Sequence, residues 1–194
     1  MDLQAIPQDG TYQVLFECSC GNFVVEVDRS WAPIGAERFY QLVKSGFFDD
    51  SGFFRVVRGF VVQFGLAADP DVTQHWNREI PDDPVRQSNK TGYLTYATKG
   101  AGTRTTQVFI SLADNPTLDL QGFAPFGRVI EGMDAVSAIT AQYGEGPNQN
   151  RIMSEGSAYL KREFPNLDRI VHATIVKDDA APSGDDSGQN RGQE

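Results

Sequence analysis

Residues 53–65 read FFRVVRGFVVQFG, and two arginines inside a run of aromatic and β-branched residues decide what this segment can be. A strand sends successive side chains to opposite faces, so the phenylalanines and valines can be hidden while Arg55 and Arg58 point outward. The plain reading is a half-exposed hairpin. The sharper one gives a guanidinium to the lining of a pocket.

The same texture continues to residue 130. GYLTYAT (92–98), QVFISL (107–112) and FAPFGRVI (123–130) are short apolar runs separated by Gly, Pro, Asn and Asp. Many short strands with few helices favour a closed β-barrel or a sandwich over a parallel α/β sheet. Upstream, TYQVLFECSCGNFVVEVD (11–28) reads as two strands joined at Gly21-Asn22, and RIVHATIV (169–176) reads as a closing strand. In APIGAERFYQLVKSG (32–46), Pro33 suits a first helical turn, Phe39, Leu42 and Val43 form an apolar face, and Gly46 can end the helix. MDAVSAI places Met133, Val136 and Ile139 at helical spacing, and SEGSAYLKREF (154–164) predicts a short third helix.

With 194 residues, 40% of them hydrophobic and thirteen Phe, the chain suits one domain with a substantial core. A formal charge of -9 and a pI near 4.7 argue against nucleic acid as a partner, since phosphate binding calls for a basic face. No stretch of about 18 apolar residues predicts a membrane span. MDLQAIPQDG has neither a basic start nor a secretory apolar run, so a cytoplasmic location is expected. No heptad pattern points to obligate assembly, and a monomer is expected. KDDAAPSGDDSGQNRGQE (177–194) lacks any large apolar residue, so it is read as a disordered polar tail. The boundaries expected are an extension over 1–10, a domain over 11–177 and the tail over 178–194.

Cys18 and Cys20 are the two cysteines of the chain, too few for a disulfide framework or a four-ligand zinc site. On one strand their Cα atoms would lie roughly 6.6 to 7 Å apart, at the outer limit of disulfide geometry. Two ordinary thiols beside a turn are expected, with redox sensing as the alternative.

Other catalytic patterns fail. There is no G-x-S-x-G elbow, and His75 and His172 are read as structural. GAGTRT (100–105) lacks the third glycine and the βαβ setting of a dinucleotide fingerprint. The carboxylates of EIPDDP (79–84) fit a solvated turn as well as a metal site. Asn89 opens an N-K-T sequon, which has meaning only in a secreted protein.

Taken in order, FFRVVRGFVVQFG, GYLTYAT, TRTTQVFISL, LDLQGFAPFGRVIEGMDAV and the closing strand resemble the cyclophilin-type peptidyl-prolyl isomerases. That family's motifs run close to F-H-R-V-I-x-G-F-x-x-Q-G-G, S-Q-F-F-I and L-D-G-x-x-x-x-F-G-x-V-x-x-G-M-x-x-V. The resemblance covers about residues 11–177 and is nearer a longer bacterial-style branch, with an insertion around 143–167. It implies a mainly β fold, a closed eight-stranded antiparallel barrel capped by two helices, with a proline-binding pocket on its outer face. The implied activity is rotation about Xaa-Pro bonds in proline-containing peptides and partly folded proteins, without metal or cofactor. A proline-peptide-binding module with the same barrel and little turnover is the second reading.

By motif position the resemblance makes Arg55 the catalytic guanidinium, Gln63 the amide that holds the peptide backbone, and Phe60 and Phe109 walls of the proline pocket. Val61, Gln107 and Phe123 match further wall positions, as does either Leu118 or Leu120. Thr98 stands where the family has an asparagine whose backbone holds the substrate. The chain departs from the pattern at Phe54, where the family has histidine, at Phe64, where it has glycine, and at Phe123, on the pocket rim. The loop ADNPTLD (113–119) has Pro116 and Thr117 near the family's tryptophan, which implies weak cyclosporin binding.

Overall fold

The computed structural model describes residues 7–179, so residues 1–6 of the expected N-terminal extension and residues 180–194 of the expected tail lie outside it. Its core is an eight-stranded antiparallel sheet of β1 (Thr11–Cys18), β2 (Phe23–Asp28), β3 (Arg55–Val57), β4 (Val61–Phe64), β5 (Tyr93–Tyr96), β6 (Val108–Ser111), β7 (Pro125–Glu131) and β8 (Ile170–Asp178). The spatial order is β3-β4-β6-β5-β7-β2-β1-β8. Each expected strand is present, and β8 runs through Asp178, whose carboxylate accepts a hydrogen bond from Arg29 at 3.2 Å.

The sheet is a curled half-barrel, and the expected closed ladder is corrected. Between its ends, β3 and β8, there is one antiparallel bridge, Gly52 to Arg169. Phe53 N–H donates to Asp168 O at 3.0 Å and Ile170 N–H to Ser51 O at 2.9 Å. Beyond that stitch the edge of β3 is already occupied, because Val56 N–H donates to Gly144 O at 3.0 Å. A loop of the insertion takes the place of a neighbouring strand, which is one way proteins cover an open sheet edge.

The helices are α1 (Pro33–Lys44), α2 (Pro70–Trp76), α3 (Pro116–Asp119), α4 (Met133–Ala138), α5 (Gln149–Glu155) and α6 (Ser157–Glu163). The single helix expected over 154–164 is two, broken at Gly156. Its φ is +62°, and a Cβ there would lie 2.0 Å from Ala68 O, so only glycine allows the approach. That carbonyl accepts from Ser157 N–H at 2.8 Å and ties the insertion to the chain after β4.

Side-chain alternation divides the interior. Val62 and Phe64 of β4, Leu94 and Tyr96 of β5 and Val108 and Ile110 of β6 join Phe16, Phe39, Phe48 and Phe126 in the barrel core. Each such burial contributes about 1.5–3 kcal/mol. A second core under the insertion joins Phe54, Leu66, Ile152, Tyr159 and Leu160. Phe54 is 1% exposed, so the departure from histidine is explained: the residue beside Arg55 anchors the insertion.

Asp83 corrects the reading of EIPDDP as a solvated turn or metal site. It is buried, accepts from Ile34 and Gly35 N–H at 3.0 and 2.8 Å, and pairs with Arg104 at 3.0 Å. It caps α1, whose own N-cap position, Ala32, offers no side-chain acceptor. No helix among the described residues is long and apolar enough to cross a membrane.

Candidate active site

Because Val62 and Phe64 point inward, Val61 and Gln63 must emerge on the outer face of β4. Phe109 emerges likewise between Val108 and Ile110. Cross-strand pairing then sets Arg55 opposite Gln63 and Gln63 opposite Phe109, so three strands present one row of functional groups. The row borders a cleft of about 440 Å³.

One side of the cleft is apolar. Val61, Phe109 and Leu118 are 2%, 5% and 8% exposed, and Phe123 meets Phe109 edge-on with ring centroids 5.8 Å apart. The other side is a polar relay. Arg55 Nη1–H donates to Gln63 Oε1 at 3.3 Å, and Gln63 Nε2–H donates to Gln107 Oε1 at 2.8 Å. Arg55 Nε–H donates to Glu145 Oε1 at 2.6 Å. The guanidinium carbon lies 6.0 Å from the Phe60 ring centroid, at the edge of cation–π range.

Arg55, Gln63, Phe60, Val61, Thr98, Gln107, Phe109, Leu118 and Phe123 all line this cleft. Leu120 does not, and its candidacy is corrected: it is 92% exposed. The chain wraps tightly at this point, with Gln121 N–H and Phe123 N–H both donating to Leu118 O at 3.1 Å. That turn aims Leu118 inward and leaves Leu120 in solvent. Thr98 has its hydroxyl engaged locally, with Gly100 O and with Thr103 Oγ1 at 2.9 Å, so its backbone is what remains to offer a ligand. Arg58 is exposed in the turn after β3, not in the strand as its spacing suggested.

The departure at Phe64 and the glycine kept at Gly65 also resolve. Phe64 fills the barrel against Phe16, Phe48 and Phe53. Gly65 has φ +104°, and a Cβ on it would lie 2.4 Å from Thr106 O. Glycine is needed there for the chain leaving β4 to pass close to Thr106 and Gln107, which lead into β6.

The role of Asn89 and Asp119 in holding the apolar side was not read from the sequence. Asn89 is fully buried, and its Nδ2–H donates to Asp119 Oδ1 at 2.7 Å and to Phe123 O at 2.9 Å. Thr95 Oγ1–H donates to Asn89 Oδ1 at 2.7 Å. Asp119 also accepts from Ser88 Oγ–H at 2.5 Å and Asn89 N–H at 2.9 Å. Burial alone would raise the Asp119 carboxyl, but the hydrogen bonds from Ser88 and Asn89 hold it below the usual carboxylate range. The L-D pair of the motif was the available signal: Leu118 makes wall, and Asp119 secures it. Ala97, Lys99, Thr105, Gln121 and Gln149 also line the cleft, and no sequence pattern singled them out.

The family model for cyclophilin-type peptidyl-prolyl cis-trans isomerases matches residues 13–157. The chain is 33% identical over 150 residues to peptidyl-prolyl cis-trans isomerase A of Dickeya dadantii, covering 71% of this chain and 76% of that one. It is 31% identical over 150 residues to a peptidyl-prolyl cis-trans isomerase of Acinetobacter baylyi, covering 70% and 77%. In fold it is similar to a cyclophilin from Cryptosporidium parvum crystallised in the presence of the dipeptide Ala-Pro. That likeness has a TM-score of 0.63 at 21% identity, covering 84% of this chain and 98% of that one.

Proposed function

The chain belongs to the cyclophilin-type peptidyl-prolyl cis-trans isomerases, and from that membership we propose that Arg55 and the cleft around it are where Xaa-Pro bonds rotate. Amide resonance opposes that rotation with a barrier of about 18–20 kcal/mol. In the twisted state the nitrogen loses its conjugation and gains a lone pair. A donor aimed at that lone pair binds the transition state better than either planar isomer.

Arginine serves because it stays charged and offers a rigid fork of donors. One charge-assisted hydrogen bond is worth about 1.5–3 kcal/mol, so it supplies roughly one to two powers of ten in rate. The remainder falls to positioning and to dipoles already oriented in a dry site. Val61, Phe109, Leu118 and Phe123 would hold the proline ring while Gln63, already ordered by Arg55 and Gln107, bonds the peptide backbone. The observation that carries this reading is the Arg55–Gln63 pair facing the apolar wall across one cleft.

The occupants we propose are proline-containing segments of unfolded and partly folded proteins, bound by a monomer. The presence of Ala-Pro with the Cryptosporidium relative supports that substrate class. We take the isomerase domain as 11–177 with Asp178 added, and α1 and α4 as the caps of a half-barrel whose two edges meet at the Gly52–Arg169 bridge. Cyclosporin should bind weakly, because Pro116 and Thr117 offer neither the area nor the indole donor of a tryptophan. Exchange NMR on a short proline peptide tests the reading. Catalysed cis-trans exchange at substoichiometric protein supports it, and binding without exchange leaves the binding-module reading in its place.

A further inference from the structure

The insertion that the family pattern left without a role reaches the reactive group itself. Resting on the reading of Arg55 given above, we infer that Glu145 is a positioning residue for Arg55, which makes the 143–167 segment part of the catalytic apparatus. Its carboxylate takes the Nε–H of the guanidinium at 2.6 Å while Gln63 takes an Nη1–H at 3.3 Å. A planar group held at two of its five donors has lost most of its terminal rotation. The remaining donors keep a fixed direction without the cost of ordering them at each turnover.

The contact belongs to a fixed framework. Val56 N–H to Gly144 O at 3.0 Å registers the loop against the strand that carries Arg55. On the insertion side, Tyr159 Oη accepts from Asn148 N–H at 3.1 Å. Phe54 closes the loop of contacts by packing with Ile152, Tyr159 and Leu160. Residues 54 and 55 thus face two parts of one element, an anchor for its core and a partner for its carboxylate.

Two effects compete, and their magnitudes decide the sign. Glu145 reduces the net positive charge near the twisted amide, which would slow the reaction. Its side chain is 63% exposed, so water screens that charge strongly. The orienting contact is a direct hydrogen bond at 2.6 Å, which screening weakens less than it weakens the charge's effect on the more distant amide. Ordering one rotamer-rich side chain corresponds to roughly threefold to tenfold in rate.

The test measures kcat and KM of the full chain by exchange NMR on a proline peptide. Glu145→Ala should lower kcat roughly threefold to tenfold with KM little changed, the pattern of an interaction realised in the transition state. Glu145→Gln keeps an acceptor oxygen and should recover most of that loss. The Arg55 Nε–H signal should shift and exchange faster in Glu145→Ala, which a purely structural role elsewhere would not cause. In the Arg55→Ala background the Glu145 substitution should add nothing. An unchanged or higher kcat in Glu145→Ala, with Arg55→Ala still strongly impaired, overturns the inference and leaves the Arg55 reading standing. If Arg55→Ala itself turns over normally, the Arg55 reading fails and takes this inference with it.

Discussion

Phe109 and Arg55 face the same cleft, yet the chain holds them by different means. Phe109 lies in β6, between β4 and β5, with barrel core on either side of it in sequence. Its neighbours Leu118 and Phe123 are fixed by the Asn89–Asp119 hydrogen bonds. Arg55 begins a three-residue edge strand whose outer side is met by the insertion. The proposed binding wall is therefore held by the barrel and the loops tied to it, whereas the proposed reactive group also leans on the insertion. Affinity and turnover should respond to different substitutions.

The largest effect should come from breaking the second foundation. Phe54→Ala removes a fully packed side chain from the core under the insertion and should cost about 3–5 kcal/mol of stability by denaturant unfolding. At temperatures where the protein remains folded, turnover should fall more than peptide affinity, since the insertion's hold on Arg55 loosens while the wall stays. Equal losses in both would mean that the two sides are not independent.

A smaller effect should come from the first foundation. Asp119→Ala strips Asn89 of an acceptor inside the protein, at a cost of about 1–3 kcal/mol. It should weaken peptide binding, read by titration, more than it slows the bound peptide's exchange. Because the Asp119 carboxyl is held below its ordinary range, its contribution is present above that range and is lost as pH falls through the lowered value. The acid limb of stability against pH should be flatter in Asp119→Asn.

The smallest effect sharpens the contrast from outside. Arg58→Ala removes the same charge as Arg55→Ala from an exposed turn three residues away, and stability, affinity and turnover should all stay near wild type. A rate loss there would point to the general field of positive charge instead of a directed donor.

The apolar side was legible in the sequence because period-two alternation and motif order both report on strands. Gln63 and Phe109 were placed by their positions in the motifs that resemble the family's. The choice between Leu118 and Leu120 was not open to that logic, since α3 is a single turn and chain reversal at Leu118 decides which leucine faces in. Asn89 stood out only as a sequon pattern, although its amide ties together loops distant in sequence. Closure of the barrel was overestimated for a similar reason. Nothing in RVV reveals that its free edge is taken by Gly144, far downstream in the chain, nor that Glu145 next to it meets Arg55. The departure at Phe54 carried no reading in the sequence, and its burial in the second core accounts for it.

The central claim is that Arg55 acts on the twisted amide while Phe109 serves binding. It is tested most directly by exchange NMR on one proline peptide, measuring the bound-state exchange rate and Kd for wild type, Arg55→Ala and Phe109→Ala. The account predicts that Arg55→Ala slows exchange at least about tenfold with Kd and melting temperature little changed, and that Phe109→Ala mainly weakens Kd. Undiminished exchange in Arg55→Ala on a peptide that it binds as tightly as wild type would contradict it.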